Sequence, residues 1–108
     1  MSVKVQYRGD TIDVKVNHSR IDGKNLIFQA LVDDPSIPKE VEFLVFNLAN
    51  VDYVNSLGIA EFISIHRYFN SVNERGTRIR FTDVDTKIAT LFKMVELGNI
   101  SEIELKTG

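Results

Sequence analysis

Residues 43–48, Phe-Leu-Val-Phe-Asn-Leu, make a short apolar run rich in aromatic and β-branched side chains, and predict a strand buried on both faces. Soon afterwards the period changes. Ile59, Phe62, Ile63, His66 and Phe69 recur at three- and four-residue steps, which places them on one face of a helix. The joint between the two patterns is Asn55-Ser56-Leu57-Gly58, and the helix is expected to run from about Ser56 to Arg75, with Gly76 as its left-handed C′ residue.

The flanking segments obey the same two periods. Val3, Val5 and Tyr7 alternate with polar residues, Gly9-Asp10 marks a turn, and Ile12, Val14 and Val16 alternate again, so residues 3–16 predict a β-hairpin. Residues 17–23 read as loop. Asp22 or Asn25 is positioned to cap a short helix carrying Leu26, Ile27, Ala30 and Leu31, which must stop before Pro35 and Pro38. Thr77–Thr82 predicts a strand that buries Ile79 and Phe81. Asp83 or Asp85 caps a further helix with the stripe Ile88, Leu91, Phe92 and Val95, closed by Gly98. Ser101–Lys106 is a weak last strand with Ile103 and Leu105 on one face.

Strands alternating with helices imply an α/β domain with right-handed crossovers between parallel strands. The hairpin makes the sheet mixed, with about five strands, and two strong amphipathic helices suffice mainly for one face. The chain of 108 residues fits a single domain spanning residues 1–108. Its 44% hydrophobic and 26% charged residues are ordinary for a globular protein.

Composition then removes several functions. There is no cysteine, so disulfides and thiolate metal sites are excluded, and a cytoplasmic location fits. The start of the chain, Met1 to Gln6, has no apolar core of a signal peptide, and no stretch approaches the length of a membrane span. A net charge of −2 with mixed signs exerts no long-range pull on nucleic acid or anionic lipid.

Ser56 lies at a strand–helix joint, as the serine of the hydrolase elbow does, but Val54 stands where that motif needs its first glycine. The histidines are His18 and His66, and ten residues of helix would put His66 about 15 Å from Ser56 along the axis. Catalysis by a triad is therefore not expected, and no metal or cofactor is. What the joint does offer is a hydroxyl beside unpaired backbone N–H groups at the positive end of a helix, a good place to hold a phosphate. Ser and Asn are also the favoured helix N-caps, so a purely capping role for Ser56 is the alternative. Gly58 falls just inside the helix, where glycine is about 1 kcal/mol less favourable than alanine. Close approach of a partner would explain it, and alanine there would then leave stability equal or higher.

Val45-Phe46-Asn47-Leu48, Val51-Asp52-Tyr53-Val54 and Asn55-Ser56-Leu57-Gly58-Ile59 together resemble the signature of the STAS family, the domain of anti-sigma factor antagonists. Ser19-Arg20-Ile21-Asp22 is similar to its element before the first helix. Asp85–Leu97 with Gly98-Asn99-Ile100 is similar to its last helix. Asn55 stands where the family has aspartate, and Leu57 where it has a second hydroxyl residue, which leaves Ser56 as the acceptor at the joint. The resemblance implies a non-enzymatic cytoplasmic switch, monomeric when free. Its unmodified form would bind an anti-sigma factor or serine kinase with a histidine-kinase-like ATPase domain, through Asp22, Asn55, Leu57, Gly58 and Ile59. Phosphorylation of Ser56 would release that partner, and a metal-dependent serine phosphatase would reset it. The output, whether sigma factor release, stress response, biofilm or polysaccharide production, is not specified. A non-phosphorylated scaffold module is the rival.

Overall fold

In a computed structural model, which describes residues 3–107, five strands form one sheet in the order β1-β2-β4-β6-β7. They are β1 (Val3–Arg8), β2 (Thr11–Val16), β4 (Phe43–Asn47), β6 (Arg78–Val84) and β7 (Ser101–Leu105). β1 and β2 are antiparallel and joined by Gly9-Asp10, with Arg8 opposite Thr11. Gly9 takes φ 59°, the positive value that the first residue of such a two-residue turn needs. The other neighbours run parallel, which requires crossovers, and the helices supply them. These are α1 (Leu26–Leu31), α2 (Ser56–Val72), α3 (Thr86–Lys93) and α4 (Leu97–Ile100). A second sheet pairs two-residue strands, β3 (Arg20–Ile21) with β5 (Tyr53–Val54).

The core lies between the sheet and one helical layer. Ile12, Val14, Val16, Leu44, Phe46, Ile79 and Phe81 project to that side and are buried, as are Ile27 and Leu31 of α1, Phe62, Ile65 and Phe69 of α2, and Phe92 of α3. Among the described residues no helix covers the opposite face. Phe43, Val45 and Asn47 are only half-buried, so β4 is not buried on both faces as its apolar run predicts. The run reads as a two-sided strand because Phe43 and Val45 are apolar. Tyr7, expected to be half-buried, is 56% exposed near the hairpin end, and Leu105 is also exposed on the other edge.

The expected stripe of α2 is rotated. Ile59, Phe62 and Phe69 are buried as predicted, but so are Glu61 and Ile65, whereas Ile63 and His66 are half-buried. α1 packs against α2 and widens its buried arc on that side. The His66 imidazole has its pKa lowered by burial, against an opposing pull from Glu96.

Helix α2 also ends before Arg75. Asn73 is buried, and its Nδ2 donates to the Val41 carbonyl at 2.9 Å and to Thr77 Oγ1 at 3.1 Å. That commitment draws the backbone out of the helix at Asn73, and Gly76, with φ 79°, belongs to the following turn. The last predicted helix is two. Val95 N–H reaches back to Phe92 O and Gly98 N–H to Val95 O, and these tight turns swing Leu97 into the core. Gly98 therefore lies inside α4 and closes nothing.

Candidate functional site

β3 and β5 bring two distant loops together beside the start of α2. Ile21 is in register with Val54, and Asn55 N–H donates to Ile21 O at 3.2 Å. Arg20 lies opposite Tyr53, and its guanidinium sits 4.1 Å from the centroid of that ring, a cation–π arrangement. The Arg20 guanidinium also faces Asp22, at 3.9 Å.

The cap of α2 is Asn55. Its backbone is extended, and its side-chain oxygen accepts from Gly58 N–H at 2.9 Å. Ser56 occupies the first helical position, is exposed, and makes no hydrogen bond through its hydroxyl among the described residues. The purely capping role for Ser56 is thus corrected: the neighbouring asparagine has it. Ser56 and Leu57 N–H have no backbone acceptor, as the first turn of a helix dictates. Ser56→Ala is accordingly expected to change the unfolding free energy by less than about 0.5 kcal/mol. Asn55→Ala should lower it by about 1 kcal/mol. Urea titration of both variants separates the roles, and the reverse order would return the cap to the serine.

The remaining expected site residues divide by burial. Leu57 is 62% exposed and stands beside Ser56. Asp22 is half-buried next to Gly23, whose backbone lies against the Leu57 side chain. Gly58 and Ile59 are buried. A Cβ on Gly58 would lie 2.3 Å from Ile21 O, so β3 occupies the space that close approach of a partner was expected to use.

Glu61, which periodicity assigns to no site, is 4% exposed. Its Oε2 accepts from Ile27 N–H and Phe28 N–H, both at 2.9 Å, and so caps α1 from another helix. Neither Asp22 nor Asn25 does so, although Asn25 holds the N-cap position with φ 58°. No local signal announces a cap supplied from 34 residues away. Burial pushes the pKa of Glu61 up, against the two N–H bonds and the nearby His18, with Asp22 adding to the rise.

For an acid whose pKa is higher folded than unfolded, the native state holds the proton more tightly. Its contribution is full below the unfolded value near 4.5 and declines as pH rises through the higher folded value. Glu61→Gln keeps an acceptor and removes the charge. The stability of the natural chain relative to this variant should therefore fall as pH is raised from below 4.5 toward neutrality. Urea midpoints across that range check it, and a flat or rising difference would mean that the N–H bonds outweigh burial.

No described helix is long and apolar enough to cross a membrane, and no group of three or more potential metal ligands is found among the described residues. No protein-family model matches the chain, and no curated protein matches it significantly. Solved structures do. Over 94% of its length the chain superposes on the murine Slc26a9 anion transporter in its inward-facing state, with TM-score 0.69 and 12% identity. It spans 17% of that transporter chain. Over 98% of its length it superposes on the anti-sigma factor antagonist SpoIIAA in its unphosphorylated form, with TM-score 0.57 and 13% identity, across 89% of that chain. The chain has a STAS-like fold.

Proposed function

We propose that this domain is a partner-switching regulator of the anti-sigma factor antagonist kind, phosphorylated on Ser56. The observation that carries the reading is an exposed Ser56 hydroxyl at the first position of α2, relieved of capping by Asn55. A phosphate there would meet two unpaired N–H groups and the favourable end of the helix dipole, so it would leave the fold intact. The partner is an anti-sigma-type serine kinase with a histidine-kinase-like ATPase domain. A metal-dependent serine phosphatase reverses the modification, and the domain itself catalyses nothing. Leu57 supplies the apolar contact. Asn55, Asp22 and the Arg20–Tyr53 pair form its polar and aromatic surround, while the buried Gly58 and Ile59 shape it from below. The added group brings about −1.5 to −2 charges, whose desolvation under a covering partner outweighs a modest interface.

The test begins with the host cell extract and ATP. Intact-mass measurement should find one phosphate on the natural chain and none on Ser56→Ala. The partner captured by the unmodified chain should then bind Ser56→Asp and Ser56→Glu at least about tenfold more weakly than Ser56→Ala, a difference of about 1.4 kcal/mol. Equal binding by acidic and alanine variants would sink the switch and favour the non-phosphorylated scaffold.

A further inference from the structure

At the β3–α1 loop lies a pocket of about 300 Å³, open to solvent on one side and lined by His18, Ile21, Asp22, Leu26 and Glu61, with Arg20 and Lys24 among its other walls. Two of its polar groups have unused capacity. His18 Nδ1 is buried with no hydrogen-bond partner. Glu61 gives Oε2 to both α1 N–H groups, and its second oxygen accepts no hydrogen bond among the described residues.

Among the described residues no lysine or arginine pairs with Glu61, and the charges it feels are those of His18 and Asp22. The ion pairs among the described residues are Arg8 with Asp13, Arg20 with Asp22, and Arg80 with Glu102. The cationic wall residue Arg20 is held by Asp22 and the Tyr53 ring. The second Glu61 oxygen is not sealed from solvent, and it shares the pocket with a buried ring nitrogen that has no partner, so two polar atoms of one pocket are available to a ligand. Ile21 and Leu26 add apolar wall to the same space. An ammonium group has three N–H donors and a positive charge, which matches Glu61, His18 Nδ1 and the Asp22 carboxylate at once.

We propose that this cavity binds a primary alkylammonium group, with Glu61 supplying the charge and His18 Nδ1 accepting one N–H. The group belongs either to a free amine or to a lysine side chain of a docked protein. The site stands independently of phosphate on Ser56.

The probes are n-butylammonium chloride and Nα-acetyl-lysine N-methylamide, with n-butanol and sodium chloride at matched concentration as controls. Amide spectra at neutral pH should show saturable shifts at His18, Ile27 and Phe28, half-complete at about millimolar ammonium, as expected for so small a ligand. Glu61→Gln retains an acceptor for the α1 N–H groups and should bind at least about tenfold more weakly. His18→Gln provides a second variant should Glu61→Gln lose dispersed native spectra. Lys24→Gln should bind equally or better, because its charge is on the rim of the same cavity. Binding of both probes assigns the site to a side-chain ammonium as well as a free amine. Binding of butylammonium alone restricts it to free amines. Equal shifts with n-butanol, no saturation with either probe, or unchanged affinity in folded Glu61→Gln or His18→Gln overturns the proposal.

Discussion

Phe62→Ala is expected to lower the unfolding free energy by about 3–5 kcal/mol, a large share of the stability of a small domain. Phe62 has no exposed surface and stands at the centre of an aromatic cluster between helix and sheet. Its ring centroid lies 5.2 Å from Phe46, 4.9 Å from Phe81 and 6.0 Å from Phe92, each at a steep edge-on angle. Truncation removes the buried area and leaves a hole that two strands and α3 cannot close without moving. The lost edge-on ring pairs are part of that loss and place it toward the upper end of the range. Urea denaturation measures the loss, and a value below about 1 kcal/mol would show that α2 does not seat this ring in the core.

Gly58→Ala should destabilise by about 1–3 kcal/mol, even though alanine is the better helix former by about 1 kcal/mol. The new methyl would lie 2.3 Å from Ile21 O and 2.9 Å from Ile21 C, and a backbone carbonyl cannot swing aside as a side chain can. Ile21 O also accepts from Asn55 N–H, so any retreat of β3 loosens the start of α2. The same variant separates two explanations of the glycine. A chain that melts at the natural temperature or above would restore the expectation that the space is kept for a partner.

The main sheet was legible because its strands and crossover helices have different periods, and Gly9-Asp10 and the prolines punctuate them. The joint at Asn55–Gly58 was legible for the same reason, since it lies where the period changes. The division of labour inside it was not. Asn and Ser are both good caps, and only the extended backbone at Asn55 decides between them. β3 and β5 escape any pattern, because two residues cannot display an alternation. Their pairing explains Gly58 and the Arg20–Tyr53 contact, neither of which has a local cause. Glu61 was hidden differently. A carboxylate on a helix ordinarily marks the solvent side, and here the two N–H groups that make its burial tolerable come from α1.

The order β1-β2-β4-β6-β7 has a consequence for how the protein is made. Each main strand is laid beside the one that precedes it in the chain, and none is inserted between two earlier ones. As synthesis proceeds, the hairpin of residues 3–16 can form first, and β4, β6 and β7 can each be added to a finished edge once their crossover has emerged. The growing edge therefore passes from β2 to β4 to β6, and while residues through Val84 have emerged but β7 has not, β6 should be paired to β4 and present its outer edge unpaired. The final edge strand carries Glu102 and Glu104, both exposed. Acidic side chains on a terminal edge discourage further strands from joining, so growth that is directional along the chain also comes to a stop.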